Sequence, residues 1–452
     1  MKKLLVLSTL VLSVFLGTGI SFAADSEVSY IVRFKPQVNA NKMMAVRSFA
    51  GAKLEVLVPE LNLYKVTMPA SRLNMLSVLR NNESVKYAQA DHSVKLREVV
   101  PNDPSFAQQW GLKNPNGADI KATEAWALGT KGTNLDGQDV VVAVVDGSVE
   151  VGHKDLKENM WANKGEVAGN GIDDDKNGYI DDIHGWNAKT NSGNLGAANG
   201  HGTHVAGTVS AKSDNGNQVA GVNWNVKIMS VNGASGTTSV VAKAYGYVLK
   251  QKKLFIESKG AQGANIVATN SSFGVDQANC ASSDFPVWND LYEEMGKAGI
   301  ISAAATANAA WDIDAVGDVP TGCASEYIFA VTNTTNMDKI NDGAGWGTKM
   351  IDIGAPGTDI LSTYTNNSTS SLTGTSMATP HVAGAVAFLH TVASPQLAEI
   401  IRNNPAEGGL IVKKILMETV DPIADLKGKT VSGGRLNLAE AAKKAYNYVS
   451  KK

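Results

Sequence analysis

The stretch Val140-Val141-Val142-Ala143-Val144-Val145-Asp146-Gly147-Ser148 decides the fold. Six apolar, mostly β-branched residues follow one another with no polar residue between them, the pattern of a strand covered on both faces. Such strands belong to parallel sheets sandwiched between helices, and the carboxylate of Asp146 stands at the C-terminal end, where those sheets bind ligands. Residues 219–310 alternate apolar runs with helical segments, the signature of βαβ units. The expected fold is therefore α/β, a doubly wound and mostly parallel sheet with helices on both faces.

Downstream, Gly374-Thr375-Ser376-Met377-Ala378-Thr379-Pro380-His381-Val382-Ala383-Gly384 places a serine where a glycine-led turn enters an apolar helix. A helix start carries unpaired N–H groups and partial positive charge, which suits a developing oxyanion. A lone Gly-x-Ser in that position does no more than cap a helix. The whole eleven-residue string, however, closely resembles the serine motif of the subtilisin-like proteases, the subtilases. Upstream, His201-Gly202-Thr203-His204-Val205-Ala206-Gly207 and the Asp146 strand resemble that family's other two motifs, in the family's order of Asp, His and Ser.

The resemblance implies a nucleophile at Ser376, a general base at His201 and an orienting carboxylate at Asp146. It extends to Gly299–Asn308, an apolar strand ending in an asparagine that the family uses to bind the oxyanion, here Asn308. Ser272, Phe273 and Gly274 match the segment whose backbone pairs with an extended substrate. Two departures are present: Ala307 stands where the family has glycine, and Ser148 follows Gly147 instead of preceding it. His204 lies three residues from His201, but the helical zinc motif needs a spacing of four with an intervening glutamate, so it is read as a core histidine. The implied activity is a serine endopeptidase acting on proteins or peptides through an acyl-enzyme, with no cofactor for catalysis. The alternative is a catalytically silent subtilase-like binding protein, which a missing catalytic residue would support; all four are present.

The 452 residues are 43% apolar and 19% charged, ordinary for a globular protein. A net charge of −2 gives no electrostatic case for nucleic acid or anionic membrane as partner. Residues 1–23 read as a signal peptide: Lys2 and Lys3, an apolar run from Leu4 to Leu16, then Ser21-Phe22-Ala23 for cleavage. Secretion, extracellular or periplasmic, without a stable membrane anchor, and a monomer are expected. Residues 24–97 show a βαββαβ order: strand Ser29–Lys35, helix Asn39–Ala50, a hairpin of Lys53–Val58 and Leu61–Met68 around Pro59, a helix capped by Ser71, and a strand from Val85 to Leu96. This ferredoxin-like unit resembles the subtilase pro-domain, which implies an intramolecular inhibitor, and residues 98–452 would form the peptidase domain. Maturation is expected near the proline-broken linker Val99–Pro104.

Cys280 and Cys323 are the two cysteines, readable as one disulfide in an exported chain or as two buried thiols. Between residues 173 and 182 lie five aspartates. Asp173, Asp175, Asn177 and Asp181 offer hard oxygens around a glycine turn, as in a calcium loop. His184 occupies the twelfth position, where an EF-hand has its glutamate. Structural calcium and a solvated acidic loop both remain open.

Overall fold

The computed structural model describes residues 27–36, 52–71, 74–92, 98–234, 236–280 and 284–450. The chain divides into two compact units, one ending at residue 95 and one starting at 96. The signal segment 1–23, the helix expected over Asn39–Ala50 and the end of the strand expected to reach Leu96 lie outside the described residues.

The smaller unit is an antiparallel sheet in the spatial order Lys53–Val58, Leu63–Pro69, Glu27–Phe34, Val85–Ala90. Its core is Val32, Phe34, Val66, Met68 and Leu79. The expected hairpin turns through the single 3₁₀ turn Pro59–Leu61 and ends at Asn62 with φ 49°, a conformation asparagine tolerates. The helix expected after a Ser71 cap begins later, at Met75, and runs to Arg80. Asn74 ahead of it sits at φ 65° with no side-chain cap, so a left-handed residue starts this helix in place of a hydroxyl.

In the larger unit the valine-rich stretch forms the strand Val141–Asp146, every residue of it buried. It occupies an inner place in a nine-stranded sheet: Asp421–Pro422, Gly434–Arg435, Ile353–Pro356, Ile328–Thr334, Ile301–Ala305, Ile266–Ser271, Val141–Asp146, Lys227–Asn232, Gly185–Asn187. All pairings are parallel except the outermost, Asp421–Pro422 with Gly434–Arg435. Alternate side chains of the valine strand serve opposite cores. Val142 and Val144 pack with Ala383, Val386 and Ala387 of the helix Thr375–Thr391. Val141, Ala143 and Val145 pack with Tyr245 and Val248 of the helix Thr238–Glu257. One strand thus has a helical layer on each face, as the unbroken apolar run requires.

The helix Thr375–Thr391 is buried along its whole length, which fits a sequence apolar all round. It lies against the strands Ile266–Ser271, Ile301–Ala305 and Ile328–Thr334, and the helix Gly200–Ser210 packs on it. Cys280 and Cys323 are joined as a disulfide with Cα atoms 4.9 Å apart. Bridging a separation of 43 residues restricts the unfolded chain by about 4 kcal/mol on a chain-entropy reckoning. Among the described residues no helix is long and apolar enough to cross a membrane.

Candidate active site

Asp146 ends its strand at the C-terminal edge of the sheet, and His201 is the second residue of the helix Gly200–Ser210. The two meet: His201 Nδ1 lies 2.9 Å from both Asp146 carboxylate oxygens. Asp146 is held from the other side by the Gly147 amide, which donates to Oδ1 at 2.7 Å. Glycine explains why the helix can come so close. A Cβ on Gly202 would sit 2.3 Å from the Gly147 carbonyl oxygen, and one on Gly147 would sit 2.6 Å from Asn199 Cγ. Asn199 caps this helix, its Oδ1 accepting from the Gly202 amide at 3.1 Å. It was missed in the sequence, although an asparagine just ahead of the histidine motif is a cap signal.

Burial works to lower the His201 pKa, but the hydrogen bond and charge of Asp146 outweigh it and leave the imidazole above its ordinary value. His204, on the same helix, is fully buried. Its Nε2 faces the carbonyls of Ile360 at 2.8 Å and Ser370 at 3.1 Å, and burial brings its pKa down to about 4. It ties the helix to the hairpin Ile360–Leu372. Ser148 does structural work as well: its hydroxyl donates to the Leu195 carbonyl and accepts from Asn232 Nδ2 at 2.9 Å.

Ser376 is the second residue of its helix. Two elements hold that helix start. Asn308, just after the strand Ile301–Ala305, accepts the Thr375 amide on Oδ1 at 2.9 Å, which leaves Nδ2 as the donor end of its side chain. The Thr375 hydroxyl donates to the Thr306 carbonyl at 2.6 Å. From the strand Ile266–Ser271 comes Ser272, whose hydroxyl donates to the Ser376 carbonyl at 2.9 Å. Pro380, four residues on, has no N–H to give that carbonyl. Ser376 Oγ donates to the Ser272 carbonyl at 3.4 Å, and among the described residues no hydrogen bond joins it to His201.

Ser272–Gly274, Ala305–Asn308 and Ser376 surround one cleft of about 150 Å³. Asp276 and Asp318 also line it, and neither was singled out in the sequence. The structure thus brings together the pair Asp146–His201 and, separately, the residues round Ser376.

The acidic loop is wrapped by amides. Asp173 accepts from Asn177 and Gly178, and Asp181 from Asn170 and Gly171. Asn177 lends its side-chain amide to Asp175 and Asp182. The carboxylates of Asp173 and Asp175 come together with Glu166, all ligand atoms within 4.8 Å of one another. Glu166, upstream of the aspartate-rich string, was missed. Asp182 lies beneath, fully buried and accepting from Tyr247, Gln251 and Asn163 at 2.7 Å each. Burial drives its carboxyl up to about 7 against the pull of those donors.

Residues 137–441 match the profile of the Subtilase family. The thermophilic serine proteinase of Bacillus sp. strain AK1 is 29% identical over 90% of this chain and 85% of its own. The major intracellular serine protease of Bacillus subtilis strain 168 is 30% identical over 60% of this chain and 72% of its own. Subtilisin-like protease 1 of Plasmodium berghei is 28% identical over 82% of this chain, and the match spans only 60% of that longer protein. For the Plasmodium falciparum counterpart the span is 44%. Among solved structures, a protease from Pseudoalteromonas arctica PAMC 21717 superposes with a TM-score of 0.57 at 22% identity, covering 77% of this chain and all of that one. The epidermin leader peptide processing serine protease of Staphylococcus aureus gives 0.53 at 19%, covering 94% of this chain and all of its own. At those identities the two structures bear on the fold alone. With the family profile matched over residues 137–441, more than half of its length, this chain belongs to the subtilase family.

Proposed function

We infer that this chain is a secreted serine endopeptidase made as a self-processing precursor. The observation that carries the reading is Asp146 clasping His201 at the sheet edge, beside a buried helix that opens on Ser376. In the proposed reaction Ser376 Oγ attacks the scissile carbonyl carbon and passes its proton to His201 Nε2. The imidazolium gives that proton to the leaving amine, an acyl-enzyme remains, and water releases it by the same route. Asp146 fixes the tautomer that presents Nε2 and stabilises the imidazolium. Asn308 Nδ2 and the Ser376 amide donate to the oxyanion. The reaction asks Ser376 Oγ to leave the Ser272 carbonyl for the base, and catalytic hydrogen bonds often tighten only once substrate binds.

The base works only when neutral, and His201 titrates above its ordinary 6.5. Activity should therefore climb from acid and pass half-maximum above about pH 6.5. A fluorophosphonate probe should label Ser376 along the same profile, read by peptide mass. Full activity below about pH 5, or label on another residue, would remove the triad reading.

The N-terminal unit, residues 24–97, fits the role of an intramolecular inhibitor, cut away near Val99–Pro104. For the acidic loop the proposed occupant is a structural calcium ion. Glu166, Asp173 and Asp175 supply the hard carboxylate oxygens such an ion takes. If calcium binds only the folded chain, a hundredfold excess over Kd stabilises it by about 2.7 kcal/mol. Excess chelator should then lower Tm by several degrees, and an unchanged Tm would leave an amide-wrapped acidic turn.

A further inference from the structure

We propose that the cleft beside Ser376 takes the positively charged side chain of lysine or arginine, so that the enzyme cuts after basic residues. This rests on the protease reading and names its substrate class. In the proposed mode the scissile carbonyl sits between Ser376 Oγ and Asn308 Nδ2, with the side chain of its own residue in the adjoining cleft, which Ser272–Gly274 and Ala305–Asn308 line. That cleft is walled mainly by polar groups.

Two carboxylates line it. Asp318 lies on the short strand Asp318–Val319, paired antiparallel with Val275–Asp276, and Asp318 stands directly opposite Asp276. Like charges directly opposed in a ladder repel. Asp276 is exposed, while Asp318 is only 1% exposed. The Thr321 hydroxyl donates to Asp318 Oδ2, and the Ala307 and Val319 amides also favour the charged carboxyl, while Oδ1 is buried without a well-formed hydrogen bond. Burial pushes the Asp318 carboxyl up to about 7, the Thr321 hydroxyl holds it down, and the Asp276 charge adds to the rise. The largest charge effect on it is thus of the wrong sign. A buried carboxylate paired beside a second carboxylate on the same cleft wall lacks a cationic donor, which an entering guanidinium or ammonium provides.

The surrounding backbone is built to keep this pair in place. The disulfide Cys280–Cys323 joins the segment after Asp276 to the segment after Asp318. Gly274 lets the substrate strand lie against the cleft floor, since a Cβ there would come 2.6 Å from the Val319 carbonyl oxygen and 3.4 Å from Asp318 Oδ1.

The test uses the mature enzyme and four peptide amides identical except for Arg, Lys, Leu or Gln before the scissile bond. We expect kcat/KM for Arg and Lys to exceed that for Leu and Gln by on the order of 10²-fold, the scale of losing one partner of a buried charge pair. Asp318→Asn should bring the Arg-to-Leu ratio below about ten, with Asp276→Asn lowering it less. Benzamidine, a cation of the right shape, should compete with substrate in the wild type, which decides the matter without a variant should Asp318→Asn not fold. Preference for Leu, or an unaltered ratio in folded Asp318→Asn, overturns the proposal. Preference for Gln overturns it too and makes Asp318 a protonated donor. Enzyme that takes a fluorophosphonate on Ser376 yet rejects the basic peptides also sinks it. Failure of labelling sinks the protease reading itself.

Discussion

A precursor carrying Ser376→Ala is expected to stay at full length, and its rate on denatured protein to drop by on the order of 10⁶-fold, the size of such losses in serine proteases. The substitution removes one oxygen, whose only hydrogen bond among the described residues is a long one to the Ser272 carbonyl. Alanine suits the second position of the helix, and the holds on Thr375 and on the Ser376 carbonyl do not involve Oγ. Folding should therefore be intact. Tethering makes the junction near residues 96–101 an intramolecular substrate at high effective concentration, so wild type should be cut even by a slow catalyst. Expression of both forms in a host without other exported proteases, followed by intact mass and N-terminal sequencing, checks this. Equal processing of the two would assign maturation to another enzyme, and no processing in either would favour the silent binding protein.

Asp146→Asn is expected to cost about 10⁴-fold in kcat while the helix Gly200–Ser210 stays in place, because an amide supports the wrong imidazole tautomer. It should also move the pH profile. In the wild type the Asp146 hydrogen bond and charge are what overcome burial and raise the His201 pKa. Without that charge burial prevails, and the midpoint should fall towards lower pH even as the maximum collapses. The linkage runs the same way for stability. Protonated His201 stabilises the wild-type fold fully below the unfolded value of about 6.5, and this contribution is lost as pH rises through the higher folded value. Thermal melts of the two proteins should hence differ more at pH 5 than at pH 9. A lower rate with an unmoved midpoint would show that Asp146 does not set the His201 titration.

Much of this was legible because the pieces that matter are local strings with a spatial meaning. The run Val140–Val145 could be covered only from both sides, and both helical layers are there. The serine string entered a helix apolar all round, and that helix is the buried one. What escaped notice depends on chain closure. Asp276 and Asp318 are 42 positions apart and meet only through the pairing of two very short strands. Glu166 joins Asp173 and Asp175 by a fold of the loop that no spacing rule anticipates. Ser71 looked like a helix cap, yet the turn beyond it was settled by the left-handed backbone at Asn74. Even the cysteines, open to two readings in the sequence, were decided by how close tertiary structure brought them.

Helix ends fray, and a nucleophile on the second residue of a helix would inherit that wobble if its own coil alone steadied it. Pro380 prevents this inheritance by having nothing to offer the Ser376 carbonyl, which turns instead to the hydroxyl of Ser272 at the rim of the sheet. The start of the Ser376 helix is thereby tied to the end of the strand Ile266–Ser271 and to the very segment expected to lie along the substrate backbone. In the proposed enzyme, a peptide that shifts Ser272 would shift Ser376 with it, so alignment would travel with the bound chain.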